Sequence, residues 1–355
     1  MAVSVLIVDD SAFFRRRLTE LIAGCPELRV AGTASNGQEA IEQARALRPD
    51  VITMDYEMPV MDGITALRAI MAEQPTPVLM FSSLTYEGAR VTLEALEAGA
   101  VDFLPKNLAE ISGSAEALRS RLGEKLLAIA RGGRQRDRRS LRPPESAPAA
   151  TAPLPARRRW QKPPRVVVIG ASTGGPVALQ QMLMPLPAGY PVPLLLVQHM
   201  PASFTPAFAE RLDSLCRIRV REARDGDVLE PGLALVAPGG RQLLISRGNR
   251  VRVLPGDERL TYRPSVDVSF AAAASTHGAG ALGVVLTGMG SDGCEGARVL
   301  KQAGATVWAQ DEASSVIYGM PMAVARAGLA DEILSLAALR DRLAAFADSA
   351  APVRP

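Results

Sequence analysis

The sequence has few of the residues on which imidazole and thiol chemistry depends. Its 355 residues include two histidines, His199 and His277, and three cysteines, Cys25, Cys216 and Cys294. The cysteines are far apart and form no C-x-x-C pair, which argues against a disulfide framework or a zinc cluster and fits a reducing compartment. Any mechanism that uses an imidazole therefore has two candidates.

Long apolar runs are also missing. No run approaches the roughly 20 residues that a membrane-spanning helix needs. The N-terminal stretch MAVSVLIVDDSA passes from apolar residues directly into acids, without the basic region and cleavage site of a secretory signal. A hydrophobic content of 48% with 22% charged residues is typical of a soluble globular protein. We therefore expect a cytoplasmic protein with no membrane insertion and with two or three domains.

Basic charge is concentrated in one segment. Residues 131–164 contain ten Arg or Lys and two Asp or Glu; because the whole chain carries +3, the remainder is net negative. The segment is rich in Pro, Ala and Arg and has no apolar period, so we expect an extended, largely disordered linker over 126–164. It separates a domain at 1–125 from one at 165–350. We expect a solvated spacer; docking to an acidic partner and nonspecific nucleic-acid binding are alternatives, and no specific nucleic acid is expected.

The N-terminal domain alternates apolar strands with helical patterns. Five βα units in this length predict a doubly wound, flavodoxin-like parallel sheet, with functional loops at the carboxyl ends of the strands. The predicted helices lie near 12–23, 37–47, 63–73, 87–98 and 113–130. The predicted strands are VSVLIV (3–8), LRVAGTA (28–34), DVITMD (50–55), PVLMFS (77–82) and AVDFLP (100–105).

The C-terminal domain alternates in the same way, which predicts a second, mostly parallel α/β sheet. Residues 241–255 look like an antiparallel hairpin with Gly248 and Asn249 at its turn. Strands are expected at 165–170, 193–198, 233–238, 281–288 and 305–310. Helices are expected near 176–184, 203–214, 265–276, 293–303, 320–327 and 336–347.

Carboxylates follow two strands of the first predicted sheet. Asp9 and Asp10 come after the first strand and Asp55 ends the third, its neighbour in a doubly wound sheet. Three crowded acids repel one another unless a divalent cation neutralises them, and Mg²⁺ prefers such oxygen ligands. Lys106 and Ser82, at the ends of the fifth and fourth strands, add a cation and a hydroxyl. Each acid alone could be a helix cap or a solvated turn, but the set predicts a phosphorylation site.

Residues 1–125 resemble the receiver domains of response regulators. The resemblance rests on the motif Asp-Tyr-Glu-Met-Pro-Val-Met-Asp-Gly at 55–63 and on the acids that precede it. It implies that Asp55 is the phospho-acceptor, that Asp9 and Asp10 bind Mg²⁺, and that the backbone carbonyl of Glu57 completes the metal shell.

The same resemblance assigns the switch residues of the receiver. Lys106 matches the lysine of the family motif, Phe103 stands at the aromatic switch position, and Ser82 stands where the family has Ser or Thr. The phosphate is then expected from a partner histidine kinase.

A glycine-rich turn leaves the first strand of the second sheet. Ile-Gly-Ala-Ser-Thr-Gly-Gly-Pro at 169–176 places Ser172 between a strand and a helix, with Pro176 near the first helical position. Such a turn exposes a hydroxyl near backbone N–H groups, as in a nucleophile elbow. The motif alone is also compatible with an anion cradle or a packing turn, although it lacks the G-K-[ST] and G-x-G-x-x-G patterns.

Two further motifs favour the nucleophile. His199 follows the apolar strand LLLVQ, and Asp292 lies in Thr-Gly-Met-Gly-Ser-Asp-Gly at 287–293, after another apolar strand. Alone, His199 could be structural and Asp292 a helix cap, and His277 suits a helix C-terminus. Together, Ser172, His199 and Asp292 lie beyond the carboxyl ends of three strands, which is the arrangement that an acyl-transfer triad requires.

Residues 165–350 resemble the catalytic domain of the CheB family of chemotaxis receptor methylesterases, through these three motifs. The resemblance implies that Ser172 is the nucleophile, His199 the general base and Asp292 its orienting acid, with the backbone N–H of Met289 in the oxyanion hole. The implied substrates are methylated glutamyl side chains, and also glutamines, of transmembrane chemoreceptors, with no cofactor for the esterase reaction.

With the receiver in front, the expected function is a phosphorylation-activated hydrolase in sensory adaptation, whose unphosphorylated receiver blocks the cleft. A catalytically inactive phospho-regulated scaffold is a rival, as is a transcription factor, which would need a helix-turn-helix that 165–355 does not suggest. Catalysis by Cys294, two residues after Asp292, is a further alternative to a packing role.

Overall fold

The computed structural model describes residues 2–106, 115–140, 163–256 and 260–348. Two parallel sheets, each covered by helices, account for most of these residues, and a small antiparallel sheet adjoins the second one. The predicted fold class is therefore confirmed.

The first sheet has its described strands in the order β2-β1-β3-β4-β5, all parallel. Each residue of β1 is buried, as expected for a strand covered by helices on both faces. The following helices begin at polar caps whose side chains accept backbone N–H bonds. The elements are β1 (Val3–Val8), α1 (Ala12–Ala23), β2 (Leu28–Ala34), α2 (Gly37–Leu47), β3 (Val51–Asp55), α3 (Gly63–Glu73), β4 (Val78–Ser82), α4 (Tyr86–Glu97) and β5 (Asp102–Pro105).

One helix is longer than its sequence pattern suggests. Helix α5 (Ala115–Ser140) crosses residue 125, where the first domain was predicted to end, and continues through the basic residues 131–140. The expectation of an extended chain over those residues is wrong. Arg has a high helix propensity, and α5 packs its buried residues Leu118, Leu122 and Leu126 against the first domain. The rest of the linker, 141–162, lies outside the described residues, and the domain limits stay a prediction.

The second sheet is parallel throughout its described strands, in the order β14-β13-β12-β6-β7-β9-β8. The chain adds strands on one side of β6 and then returns to add them on the other, so the strand order reverses between β6 and β12, a position at which ligands bind in open α/β sheets. The elements are β6 (Val166–Ala171), α6 (Gly175–Leu183), β7 (Leu194–Gln198), α7 (Thr205–Leu215), β8 (Arg219–Glu222), β9 (Leu233–Val236), β10 (Arg241–Ser246), β11 (Arg250–Pro255), α8 (Val266–His277), β12 (Ala281–Val285), α9 (Cys294–Gln302), β13 (Thr306–Gln310), α10 (Met320–Arg326), β14 (Glu332–Leu334) and α11 (Leu336–Ala344).

Sequence patterning missed the two outer strands of this sheet. Strands β8 and β14 contain four and three residues, and much of their surface is exposed. Edge strands lack the continuous apolar run that marks a buried parallel strand. The hairpin β10–β11 was predicted correctly: its strands pair antiparallel, and Gly248 and Asn249 at the turn have φ of 74° and 57°.

The two domains touch through α4 and β5 on one side and α6 and α7 on the other. The ring of Phe103 stacks on Phe204 with centroids 4.4 Å apart. At the rim, Arg211 Nε donates to Glu97 Oε1 over 2.8 Å, and Tyr86 donates to a carboxylate oxygen of Glu210. We refer to these contacts as the domain interface.

We predict that Gly239→Ala destabilises the second domain by about 1–3 kcal/mol, because it overpacks a close backbone contact. A Cβ at Gly239 would lie 2.4 Å from the backbone nitrogen of Ala202 and from the carbonyl carbon of Pro201. Urea unfolding followed by tryptophan fluorescence measures this, since Trp308 is buried in β13 of the second domain.

The matched control is Gly189→Ala, where a Cβ would meet no atom within 4 Å. Its unfolding free energy should stay within about 0.5 kcal/mol of the parent chain. Equal effects of the two substitutions would contradict the role given to the contact at Gly239.

Candidate active site

The candidate catalytic residues lie at the carboxyl edge of the second sheet. Ser172 directly follows β6, His199 directly follows β7, and the loop containing Asp292 follows β12. Because β12, β6 and β7 are adjacent in the sheet, the three loops converge at the position where the strand order reverses.

The turn at Ser172 is fixed by backbone bonds to its neighbours. The Ser172 N–H donates to Thr287 O over 3.0 Å, and its carbonyl accepts from the Gly175 N–H and from Gln198 Nε2. A Cβ at Gly288 would lie 2.8 Å from the Ser172 Cβ. The glycine after Thr287 therefore allows the β12 loop to approach the nucleophile turn.

The two ring nitrogens of His199 have different surroundings. Nε2 lies 2.7 Å from Asp292 Oδ2, whereas Nδ1 is buried and has no hydrogen-bond partner among the described residues. In a neutral imidazole one nitrogen carries the proton and the other a lone pair. A proton on Nε2, directed at Asp292, leaves the lone pair on Nδ1. The predicted histidine–aspartate pair is therefore formed. Ser172 lies at the end of the adjacent strand, and its hydroxyl makes no hydrogen bond within the described ranges.

Backbone donors surround the buried carboxylate of Asp292. It accepts from Val266 N over 2.7 Å, Asp267 N over 3.0 Å and the hydroxyl of Ser265 over 3.0 Å. Burial alone would raise the pKa of Asp292, but the hydrogen bonds from His199 and from these N–H groups hold it below its usual value. Asp292 therefore stays ionised and can orient the imidazole.

A segment before α8 holds the imidazole from another side. The ring of Tyr262 stacks on His199 with centroids 4.3 Å apart and an interplanar angle of 8°. Gln242 fixes this segment at both ends, because its Nε2 donates to Tyr262 O and its Oε1 accepts from the Ser265 N–H, each over 2.9 Å. Neither Tyr262 nor Gln242 was predicted from the sequence, since neither belongs to a recognisable motif. Ser265 was foreseeable only as a helix cap.

A second carboxylate lies against Asp292. Asp267 Oδ1 accepts from the N–H groups of Gly293 and Gly296, which fixes the start of α9. Burial and the charge of Asp292 raise the pKa of Asp267 to about 6. Asp292, which contacts His199, therefore has the lower pKa of the two and loses its proton first.

Cys294 and His277 are not part of this constellation. The thiol of Cys294 donates to Ala323 O, and burial raises its pKa, which disfavours the reactive thiolate. His277 ends α8, at the far edge of the sheet from Ser172. Both observations favour the serine over the alternatives.

The predicted carboxylate cluster of the first domain is formed. Oxygens of Asp9, Asp10 and Asp55 lie within 4.8 Å of one another, and Lys106 Nζ is 2.6 Å from Asp55 and 3.1 Å from Asp9. Burial raises the pKa of Asp55 to about 6 despite the opposing effect of Lys106. Carboxylate oxygens are the ligands that Mg²⁺ takes, so the donor set fits this ion.

Of the predicted switch residues, Lys106 contacts this cluster, whereas Ser82 and Phe103 face away from it. The Ser82 hydroxyl bonds to Gly88 O over 3.1 Å and accepts from Thr92 over 2.6 Å, both on α4. Phe103 is buried in the domain interface against Phe204. Glu57 lies in the loop after β3, and its metal-binding role stays a prediction.

The domain interface reaches the neighbours of the catalytic residues. Thr173, next to Ser172, donates to the carboxylate of Asp102 at the start of β5, and this carboxylate also pairs with Lys125 of α5. Met289, the predicted oxyanion-hole residue, packs against the core that α5 forms with the first domain. Sequence reasoning missed Thr173 and Asp102 because the contact joins residues far apart in the chain.

Models of two protein families match the chain. The CheB methylesterase model matches residues 167–343, and the response regulator receiver domain model matches residues 5–115.

Curated relatives match nearly the whole length. A protein-glutamate methylesterase/protein-glutamine glutaminase of Pseudomonas putida is 58% identical, and one of Pseudomonas aeruginosa is 59% identical; each alignment covers 95% of this chain and 97% of the relative. The crystal structure of the Thermotoga maritima CheB methylesterase catalytic domain is 39% identical over 51% of this chain and 97% of its own, with a TM-score of 0.49.

We predict that Asp267→Asn removes a pH dependence of stability. The pKa of Asp267 is raised from 3.8 to about 6 in the folded state, so the folded chain binds the proton more tightly than the unfolded chain. Its contribution to the unfolding free energy is therefore present at low pH and is lost as the pH rises from about 4 to about 6. Asparagine keeps the oxygen that accepts from Gly293 and Gly296, and it does not titrate.

Urea midpoints measured by tryptophan fluorescence at several pH values between 4 and 7 test this prediction. The parent chain should lose more stability across this window than the variant does. Parallel curves for the two chains would refute the assignment of the raised pKa to Asp267.

Proposed function

This chain belongs to the CheB methylesterase family, and we propose that Ser172, His199 and Asp292 hydrolyse the methyl esters of glutamyl side chains on chemoreceptors. Family members are protein-glutamate methylesterases and protein-glutamine glutaminases with a receiver domain. The 2.7 Å contact between His199 Nε2 and Asp292, which leaves Nδ1 unpaired among the described residues, carries the proposal.

The first half of the reaction forms an acyl-enzyme. His199 Nδ1 takes the proton of the Ser172 hydroxyl as Oγ attacks the ester carbonyl, and Asp292 stabilises the resulting imidazolium. The backbone N–H of Met289 donates to the oxygen that becomes negative. His199 then gives its proton to the departing methoxy group, and methanol leaves.

The second half restores the serine. A water molecule gives a proton to His199 Nδ1 and attacks the acyl carbon, which releases the glutamate carboxylate and returns the proton to Ser172. A glutamine side chain follows the same route with ammonia as the leaving group. No step requires a cofactor.

Asp55 is the proposed phospho-acceptor of the receiver, with a histidine kinase as phosphodonor. Mg²⁺ would be held by Asp9, Asp10, Asp55 and the backbone carbonyl of Glu57, and it would neutralise charge on the phosphoryl oxygens. The Asp55 carboxylate attacks the phosphorus of a phosphohistidine on the kinase, the P–N bond breaks, and the kinase imidazole leaves. Lys106 then pairs with a phosphoryl oxygen.

Regulation follows from the contacts of β5. Asp102 and Phe103 contact Thr173 and Phe204, which lie one and five residues from Ser172 and His199. We propose that this packing restrains the cleft and limits substrate access. Phosphorylation removes the pairing of Lys106 with Asp55 and turns the Ser82 hydroxyl towards the phosphoryl group, which weakens the interface. A few kcal/mol of differential stability is enough for such a shift.

We also propose a cytoplasmic location, because the receiver needs a kinase as phosphodonor. The three cysteines are free, as in proteins of reducing compartments. Among the helices that the structure describes, none combines the length and the hydropathy needed to cross a bilayer.

We predict that Ser172→Ala lowers methanol release from methylated receptor membranes by a factor of about 10⁴ or more. The comparison variant is Ser214→Ala, whose exposed hydroxyl bonds only to Arg211 O among the described residues. It should retain the parent rate. Methanol release by Ser172→Ala at the rate of Ser214→Ala would exclude the serine mechanism.

We predict that reversing one charge at the domain interface raises activity without phosphorylation. Arg211 pairs with Glu97 at side-chain exposures of 33% and 30%. Arg211→Glu places like charges opposite each other, which favours the open arrangement and faster methanol release without a phosphodonor.

The double variant Glu97→Arg with Arg211→Glu restores opposite charges and should restore the low basal rate. Both variants should reach the same rate as the parent when phosphorylated. If the double variant is as active as Arg211→Glu alone, the interface pair does not control access.

A further inference from the structure

A groove of about 860 Å³ lies on the edge of the second sheet opposite the catalytic residues. Arg165 and Pro193, which line it, directly precede β6 and β7, so the groove is at the amino ends of these strands. The end of α8 forms one wall and the turn of the β10–β11 hairpin forms another. Neither the proposed esterase reaction nor the phosphorylation site uses these residues.

The charged residues of this groove are all basic. Arg165 and Arg247 line it, and none of the described Asp or Glu residues does. Both arginines are exposed, and neither has an ion-pair partner among the described residues. Two unpaired guanidinium groups over one groove favour an anionic occupant.

A buried imidazole nitrogen adds to this arrangement. His277 also lines the groove, and its Nε2 is buried without a hydrogen-bond partner within the described ranges. Buried polar atoms normally have a partner, so an orphaned one calls for a ligand or a water. Burial and the charge of Arg165 lower the pKa of His277. The neutral ring can still donate from Nε2 to an oxygen of an anion.

The remaining lining provides one neutral donor and an apolar floor. The hydroxyls of Ser246 and Thr276 already donate to Arg250 O and Ile245 O, whereas the exposed Ser275 hydroxyl has no partner among the described residues. Leu229 and Ile245 are buried beneath these residues. A phosphate has more acceptor oxygens than one carboxylate, so it can accept from both guanidinium groups and from this hydroxyl. The volume is within the range of small-molecule sites.

We propose that this groove binds a small organic phosphate, with its phosphate groups on Arg165, Arg247 and His277 and its organic part on the apolar floor. The C-terminus of α8 opposes an anion, but it carries only about half a negative charge, against two permanent positive charges. The linker that precedes Arg165 is itself basic, so its charge does not complement the groove.

The two histidines of the chain provide a residue-specific test. The imidazole NMR signals of His277 and His199 are followed in the full-length chain, and His277→Gln assigns them. ADP, inorganic pyrophosphate and succinate are the probes, with a chelator present to prevent metal-dependent binding at Asp55. The expected result is a saturable shift of the His277 signal that exceeds the shift of His199, with tighter binding of ADP than of pyrophosphate.

Arginine variants identify the binding groups. Arg165→Ala and Arg247→Ala should each weaken ADP binding by about tenfold, the effect of losing one charged hydrogen bond. Arg29→Ala is the matched control, because it removes the same charge from an exposed site on the first domain. Its affinity for ADP should equal that of the parent chain.

Four results would overturn the proposal. An unmoved His277 signal at millimolar ADP means that the groove does not bind it. Unchanged affinity in both arginine variants assigns any binding to another basic segment, such as the linker. Equal affinity for pyrophosphate and ADP means that the organic part of the ligand does not contribute to binding. Equal affinity for succinate and ADP means that the groove does not prefer phosphate to carboxylate. None of these readouts depends on esterase activity, so they stand apart from the proposed function.

Discussion

A buried carboxylate that must remain charged is the constraint on which the catalytic edge depends. Asp292 is almost fully buried, and burial favours the neutral acid. Three donors from the start of α8 and the ring of His199 reverse that preference. Much of the surrounding architecture serves this purpose: Ser265 begins the helix, Gln242 fixes the preceding segment, and Asp267 takes the higher pKa of the carboxylate pair.

The orientation of His199 has a consequence for the chemistry. Because Nε2 contacts Asp292, the nitrogen left for the serine is Nδ1, the reverse of the assignment in the chymotrypsin template. The stacked ring of Tyr262 restricts rotation of the imidazole, which preserves this choice. The roles of a triad depend on which nitrogen faces which partner, and the order of residues along the chain does not determine this.

Strand β5 connects the two domains. Its first two residues contact the second domain, and its last precedes Lys106, which pairs with Asp55. Strand β5 therefore links the carboxylate cluster to Thr173 and Phe204. Helix α5 adds to this connection, since Lys125 pairs with Asp102 and the core of α5 includes Ile317 from the second domain.

The sequence alone determined the two sheets and the order of most elements, and it predicted the residues that we propose for the chemistry. Buried parallel strands have continuous apolar runs, and catalytic loops have short, specific motifs such as those at 55–63 and 287–293. Local patterning could not reveal the outer strands β8 and β14, whose pairing depends on their neighbours in the sheet. It also missed the full length of α5, because its stability comes from packing on the first domain. Only the tertiary structure decided which nitrogen of His199 is available, that Tyr262 stacks on it, and that Asp102 reaches Thr173. These contacts join residues that are 63 to 93 positions apart and share no motif, so they form only when the chain has folded.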